Sequence, residues 1–256
     1  MPYFLRQVDV QIGNRVLPEY RYLVVDEAHH LEDATTNGLS FQLTQTAFQR
    51  RLDDLGDTRR GLLSDVLRST RGSVPDRYFE QVEAYVEAVA ESVSLMGHHV
   101  ERYFAVLLRF LQGSGQIRAS DYMNQVRITD QLRQQPDWAH VEDAWDVLSR
   151  FTTAISEAMN RLARGLAGLE QFDVPNFDDL LSSVGAAARH LEEIHMQIGS
   201  FSSNPQENMI YWAQVDQDGT RLSVHAAPLH VGPLLEQHLW EPKSSVILTL
   251  SLIHIS

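Results

Sequence analysis

Two adjacent carboxylates and a nearby histidine are the residues of this sequence best suited to chemistry. Asp26, Glu27 and His29 belong to the run Asp-Glu-Ala-His. Hydrolysis of a nucleoside triphosphate requires one acid near the magnesium ion and a second group that positions or deprotonates the attacking water. We therefore predict that Asp26 holds a hydrated Mg²⁺, that Glu27 acts on the water, and that His29 contacts the region around the γ-phosphate. The alternative is that these acids only begin a helix, where they interact favourably with its dipole.

The segment that precedes these residues favours the catalytic interpretation. Tyr22–Asp26 reads Tyr-Leu-Val-Val-Asp, a short apolar and β-branched run that ends in an acid. Such a run is typical of a buried strand in a parallel sheet. Folds that alternate strands and helices place their ligand sites at the carboxyl ends of such strands. We expect Asp26 to follow a buried strand directly.

A mostly helical block occupies the middle of the sequence, from about residue 44 to residue 202. Apolar residues recur there at intervals of three and four, which indicates amphipathic helices. We expect them to pack as an antiparallel bundle with the apolar stripes inside. Trp138 and Trp145, seven residues apart, are predicted to be core anchors of one helix. The three long helices are predicted at 75–112, 136–166 and 177–198.

Strand patterns return after Pro205. Tyr122–Thr129, inside the helical block, is compatible with either a short strand or an irregular crossing. The order of one strand, helices, hairpin and last strand predicts an α/β domain into which a helical domain is inserted. The elements predicted after residue 205 are a hairpin with strands at 209–215 and 222–227, a short helix at 231–240, and a buried strand at 245–249.

The composition limits the partners that the chain can have. A formal net charge of -13 argues against a surface that is basic throughout, so any nucleic-acid contact must be local. A short arginine-rich stretch could supply such a patch, or it could form a solvated helix face with its acidic neighbours Asp53, Asp54 and Asp57. The arginines in question are Arg50, Arg51, Arg59, Arg60, Arg68 and Arg71.

The same composition bears on the compartment. The sequence has no cysteine, so it cannot form disulfides or ligate an iron–sulfur cluster through thiolates. It has no apolar run of the length needed to cross a bilayer and no recognisable secretion signal. These features predict a cytoplasmic protein without a membrane role.

Several segments resemble the DinG/XPD-like superfamily 2 DNA helicases. Leu17–Asp33 is similar to the acidic motif of that family, together with the residues that lead into it. Ile210–Trp212, Ala227–Leu229 and Ser244–Thr249 also resemble family segments. In the family, the last of these strands continues into a Ser-Ala/Gly-Thr motif that couples hydrolysis to strand movement, so the resemblance places Thr249 in that strand.

The resemblance implies a fold and a function. It implies an α/β P-loop NTPase, a RecA-like motor domain, made of residues 1–40 and 206–249, with residues 41–205 as an inserted helical arch. It also implies an ATP-dependent DNA helicase that moves along single-stranded DNA, unwinds forked DNA and serves in repair or replication. ATP and Mg²⁺ would be its cofactors, and some family members also hold a 4Fe–4S cluster, which this chain cannot ligate. No DNA-binding residue can be carried over to the arch.

Two further features lead us to expect that the sequence is an internal fragment, inactive alone. It contains no Gly-x-x-x-x-Gly-Lys-Ser/Thr phosphate-binding loop, and the family's second motor domain would lie downstream. Leu250–Ser256 corresponds to the translation of a transposon end used in sequencing libraries, so we interpret this tail as non-native. Met1 would then be an internal codon.

Two alternatives stay open. The first is a non-catalytic helical module that binds nucleic acid or protein and keeps the acidic motif as a relic. The second is an RNA helicase, because Asp-Glu-Ala-His also occurs in RNA-acting relatives. The long insertion before the strand at 245–249 disfavours the second alternative, since those relatives keep the two motifs close together.

Overall fold

A computed structural model describes residues 20–115, 124–216, 218 and 221–250. The protein is mostly helical, with two small sheets. Part of the undecided segment Tyr122–Thr129, part of the predicted hairpin turn and most of the predicted adapter tail lie outside the described residues. The helices are α1 (Leu31–Leu39), α2 (Gln45–Leu55), α3 (Gly61–Thr70), α4 (Asp76–Gly113), α5 (Asp130–Arg133), α6 (Ala139–Ala167), α7 (Phe177–Ser202) and α8 (Gly232–Leu235), the last continued by a π-helical turn at Glu236–Trp240. The strands are β1 (Tyr22–Val25), β2 (Phe41–Thr44), β3 (Asn124–Arg127), β4 (Met209–Val215), β5 (Leu222–Pro228) and β6 (Ser245–Leu248).

The chain divides into two compact units. The first is drawn from the ranges 1–42, 206–211 and 225–256, and the second from 43–205 and 212–224. The first unit contains the pair β1 and β6, whereas the second contains the long helices. The domain limits predicted from the sequence at 1–40, 41–205 and 206–249 stay a prediction.

The first unit contains a parallel pair of strands. β1 and β6 are in register from Tyr22 opposite Ser245 to Val25 opposite Leu248. Both strands lie where the sequence predicted them. β1 belongs to a parallel pair, as expected, whereas its pairing with β6 was not predicted. Because parallel strands cannot be joined by a tight turn, residues far apart in the sequence meet at each end of this pair.

One lysine fastens the amino ends of the two strands. Lys243 is the single lysine of the sequence, and its Nζ donates a hydrogen bond of 3.1 Å to the carbonyl of Tyr20. The same ammonium lies 3.7 Å from the centre of the Tyr20 ring, a cation–π contact that contributes about 0.5–2 kcal/mol. The backbone N–H of Ser244 also donates to the Arg21 carbonyl at 2.8 Å. These contacts fix the register before the first paired residues.

The prediction that β1 and β6 are buried strands is wrong, because each has only exposed and half-buried residues. Leu23 and Val25 pack with Trp240 against an apolar cluster made by α1, α8 and the π-helical turn. On the opposite face, Tyr22 and Val24 are 73% and 63% exposed. A parallel sheet is buried on both faces only when a layer covers each face, and the described part of this unit supplies a single layer. The cluster consists of Leu31, Val231, Leu235 and Leu239.

The second unit is built around three long helices, whose predicted positions are confirmed. α6 packs against both α4 and α7. Trp138 is fully buried and Trp145 is buried, so the prediction that both are core residues is confirmed. Trp145 lies in α6, whereas Trp138 lies in the 3₁₀ turn Pro136–Trp138 directly before it. The Trp138 ring meets Phe110 edge to face, with 5.0 Å between ring centres. The undecided segment contains the strand β3, which pairs antiparallel with β4 in a sheet of order β2-β5-β4-β3.

Buried polar groups anchor the carboxyl end of α7. The last carbonyls of a helix lack partners within the helix, and here the side chains of other elements bind them. Trp138 Nε1 donates to the Ser202 carbonyl at 3.0 Å, and Arg133 donates to the Phe201 carbonyl at 2.8 Å. The Tyr103 hydroxyl and Ser202 Oγ are 2.7 Å apart, and burial raises the pKa of Tyr103. The helix end is therefore fixed by three side chains from separate elements.

We expect Tyr103→Phe to lower the free energy of unfolding by about 1–2 kcal/mol, because it removes a buried hydrogen bond and leaves the Ser202 hydroxyl without this partner. Urea denaturation followed by circular dichroism measures the change. Ser92→Ala is the control, since among the described residues the half-buried Ser92 hydroxyl donates only to the Ala88 carbonyl of its own helix, and it should change stability by less than about 0.5 kcal/mol. Equal effects of the two variants would contradict the anchoring role.

Candidate active site

The acidic motif lies at the carboxyl edge of the parallel strand pair. β1 ends at Val25, and Asp26 and Glu27 follow at once, before a short 3₁₀ turn at Ala28–His30 leads into α1. β6 ends at Leu248, and Thr249 is the next residue. Because the strands are parallel, these two exits lie at the same edge, where α/β folds place ligands.

Three groups of Thr249 form hydrogen bonds with residues at the carboxyl end of β1. Its Oγ1 donates a hydrogen bond of 2.6 Å to Asp26 Oδ1. Its backbone N–H donates to the Val25 carbonyl at 2.9 Å, and its own carbonyl accepts from the Ala28 N–H at 3.0 Å. The strand ladder thus continues one residue past β1 and β6, and it brings a hydroxyl directly onto the first acid of the motif.

Asp26 is an ionised carboxylate with one oxygen available. The Thr249 hydroxyl, and after it the backbone N–H of Glu27 at 3.0 Å, lower the pKa of Asp26 from its ordinary value. Both bonds go to Oδ1, and within the described residues Oδ2 accepts no hydrogen bond. A carboxylate of this kind suits a hydrated cation such as Mg²⁺, which keeps several waters and takes one or two carboxylates from a protein.

Glu27 has an unusual backbone conformation for its residue type. Its φ of 54° and ψ of 45° are left-handed, a region that costs an L-residue with a side chain about 1–2 kcal/mol. Its carbonyl accepts from the His30 N–H at 3.0 Å, and its Oε2 lies 3.3 Å from His29 Nδ1. Strained backbone of this kind tends to occur at functional sites. The strain turns the chain sharply from β1 into the 3₁₀ turn and sets the Glu27 carboxylate beside the His29 ring.

The left-handed backbone of Glu27 leads to a testable prediction about the stability of the protein. Glu27→Gly should leave the protein more stable than Glu27→Ala by about 1 kcal/mol, because both variants lose the contact with His29 and only glycine is free of the left-handed penalty. The matched control is Glu32, an acid in the first turn of α1. There, Glu32→Gly should be less stable than Glu32→Ala by about 0.5–1 kcal/mol, as in an ordinary helix. Chemical denaturation measures all four variants, and the same order at both positions would contradict the strained geometry.

The structure brings together all four residues that the sequence singled out at the two strand ends. Asp26, Glu27, His29 and Thr249 lie at one edge, although their catalytic and ligand roles stay predictions. Sequence reasoning missed the bond from the Thr249 hydroxyl to the acid, for which the only signal was a threonine directly after a strand. It also missed the left-handed backbone of Glu27, because glutamate is not among the residues enriched in that region.

The sequence analysis also considered metal ligands, an arginine-rich stretch and membrane-spanning helices. Among the residues that the structure describes, no group of three or more acidic or histidine side chains is placed to hold a metal ion. Arg50, Arg51 and Arg59 form no ion pair there, whereas the other three arginines of the same stretch do, so the basic patch and the solvated face both stay predictions. The pairs are Arg60 with Asp57 at 3.7 Å, Arg68 with Asp65, and Arg71 with Glu83 at 3.3 Å. None of the described helices is both long and apolar enough to cross a bilayer.

Comparison with known proteins adds an independent observation. No family model matches the chain. The chain is 25% identical over 243 residues to the 3′-5′ exonuclease DinG of Bacillus subtilis. This similarity supports a distant relationship to DinG-like helicases. The match covers 91% of this chain and 24% of the relative, so the chain spans about a quarter of the length of the curated protein that it matches. Because so little of the chain lies outside the match, most of the helical block is included in it.

Proposed function

We propose that this chain is part of the first motor domain of an ATP-dependent DNA helicase similar to DinG. In this proposal the first unit belongs to an α/β P-loop NTPase fold of the RecA-like type, and the long helices form an arch inserted into it. The observation that carries the proposal is the hydrogen bond of 2.6 Å between Thr249 and the ionised Asp26 at the carboxyl edge of a parallel strand pair. The 25% identity to DinG supports it.

Each residue of the motif has a proposed role. Asp26 would hold a hydrated Mg²⁺ through its available oxygen, and such an ion would supply positive charge that neutralises the ATP phosphates. Glu27 accepts a proton from the attacking water or orients it, which is a task for a carboxylate held within reach of that water. His29 lies 3.3 Å from Glu27, where it can hold that carboxylate in position and contact the region of the γ-phosphate.

Thr249 is proposed as a positioning residue. Its hydroxyl holds Asp26 in one orientation and keeps it ionised, so that the acid is ready for the cation. Its backbone is bonded to the exit of β1 on both sides, so a movement of Asp26 would pull on the end of β6. The family that the sequence resembles uses the continuation of this strand to couple hydrolysis to movement along DNA, and Thr249 is the residue through which such coupling would begin.

The remaining parts of an ATP site must come from other residues of the whole protein. The single lysine of the chain is Lys243, which binds Tyr20 and belongs to no phosphate-binding loop. We therefore propose that this chain alone does not hydrolyse ATP. The outward face with Tyr22 and Val24, 73% and 63% exposed, supports further chain packing there in the whole protein.

The proposed partner is single-stranded or forked DNA, bound by residues that stay unassigned. Any iron–sulfur cluster of the whole protein would be ligated elsewhere, since this chain has no cysteine. The exonuclease activity in the name of the relative is assigned to no residue of this chain. Two-metal nuclease sites need several clustered ligands, and within the described residues no such cluster occurs.

The test is ATP hydrolysis by the protein of the complete reading frame, with Mg²⁺ and single-stranded DNA. We expect Glu27→Gln to lower kcat by about 100-fold or more, because the group that activates water is lost, while nucleotide binding is kept. Asp33→Asn is the matched control: Asp33 is an acid of α1 outside the proposed site, and its loss should change kcat less than about twofold.

Two results would contradict the proposal. One is ATP turnover that is equally insensitive to Glu27→Gln and to Asp33→Asn. The other is a complete reading frame without a phosphate-binding loop, which would favour the non-catalytic helical module. Glu27-dependent turnover by the 256-residue chain alone would instead contradict the proposal that other residues must complete the site.

A further inference from the structure

A pocket of about 240 Å³ opens in the second unit between α2, α3 and α7. Its deepest part is apolar and consists of Leu55, Leu191 and Ile194, all of which are buried. The volume is smaller than the roughly 300–1,000 Å³ of sites that hold drug-sized ligands. An occupant would therefore be a single ring system or a short hydrocarbon chain.

The pocket exists because α7 presents small side chains to α2. Ser183, Ala186 and Ala187 line the α7 wall, and their spacing of three and four residues puts them on one face of the helix. A larger residue at Ala187 would reduce this space. Small residues alone would only allow close helix packing, so the chemistry of the rim decides what the pocket can hold.

The rim carries two nitrogen-bearing side chains that are not otherwise engaged. Arg51 and His190 line the opening, both are exposed, and neither makes an ion pair or a side-chain hydrogen bond with any residue of the described ranges. By contrast, Arg60 pairs with Asp57. The planar guanidinium of Arg51 offers donors in a fixed fork that matches a carboxylate, and His190 adds a ring nitrogen on the opposite helix.

We propose that this pocket binds a small organic carboxylate, with its apolar body on the leucine and isoleucine floor and its carboxylate against Arg51 and His190. The proposal concerns the helical unit and is independent of the ATP site. It combines a concave apolar volume with two polar side chains, one on α2 and one on α7, that make no side-chain hydrogen bond or ion pair within the described residues, a combination typical of small-molecule sites.

Asp54 refines the proposal. It also lines the pocket, one turn along α2 from Arg51, and the two side chains form no ion pair within the described part of the chain. Its charge repels a plain anion, so the carboxylate of the ligand must contact Arg51 and His190 on their sides away from Asp54. A ligand with a hydrogen-bond donor near Asp54 would be preferred, and removal of the Asp54 charge should strengthen the binding of a ligand that lacks such a donor.

The test uses the 256-residue chain and 1-naphthoate as the probe, with 1-naphthamide as its uncharged analogue, in a titration followed by NMR of the protein. We expect 1-naphthoate to bind more tightly than 1-naphthamide. Arg51→Gln should weaken the binding of 1-naphthoate about two- to fivefold, the effect of one partly exposed charged contact. Asp54→Asn should strengthen it about twofold or more.

Two matched controls separate this site from other apolar surfaces of the protein. Arg50→Gln removes the same charge from the neighbouring position of α2, outside the pocket, and should change affinity less than twofold. Ala187→Trp should abolish binding by filling the pocket, whereas Ser182→Trp, at an exposed α7 position outside it, should not. Circular dichroism and thermal melting verify that each variant folds.

The proposal is overturned if 1-naphthoate does not bind, if 1-naphthamide binds as tightly, or if Arg50→Gln and Arg51→Gln have equal effects. It is also overturned if Ala187→Trp folds and still binds the probe. Should Ala187→Trp fail to fold, the comparison of Arg51→Gln, Arg50→Gln and Asp54→Asn decides the question, because all three positions are exposed.

Discussion

The parallel pairing of β1 with β6 is the constraint on which the candidate site depends. It joins residues more than two hundred positions apart and puts both carboxyl ends at one edge. Lys243 fastens the amino ends on Tyr20, and Thr249 fastens the carboxyl ends on Asp26. A slip of one residue would send each side chain to the other face. It would turn Leu23 and Val25 away from their apolar cluster. The packing of these two side chains therefore disfavours a slipped register and stabilises the register that places Asp26 beside Thr249.

The second unit has its own sources of order. The contact between α6 and α7 includes polar pairs as well as apolar packing: the Thr152 hydroxyl lies 2.9 Å from His195 Nδ1, and Ser156 donates to Glu192 at 2.9 Å. Directional bonds at fixed positions select one alignment of two long helices, which apolar stripes alone do not.

Much of the fold could be predicted from the sequence, because the long helices have strong periodicity and clear ends. Pro75 before α4 and the apolar stripe of α6 required no tertiary information. The burial of β1 was predicted wrongly. An apolar run shows that a strand can be buried, but it does not show how many layers of structure cover the sheet. The acidic motif indicated the site, but the bond from Thr249 depends on a pairing between distant segments. The backbone of Glu27 is also set by its surroundings, because its residue type disfavours the conformation.

The most direct test of the site is the titration of the Asp26 carboxyl group by carbon-detected NMR, in the unchanged protein and in Thr249→Val. When folding lowers the pKa of a carboxyl group, the ionised group stabilises the folded protein at pH values above the unfolded pKa, here 3.8. This contribution is lost as the pH falls through the folded pKa. Our account predicts that Asp26 titrates below 3.8 in the unchanged protein and that its pKa rises in Thr249→Val, because the hydroxyl is the main cause of the shift. If Asp26 titrated at the ordinary pKa in both proteins, this result would contradict the hydrogen bond between Thr249 and Asp26, on which the proposed active site depends.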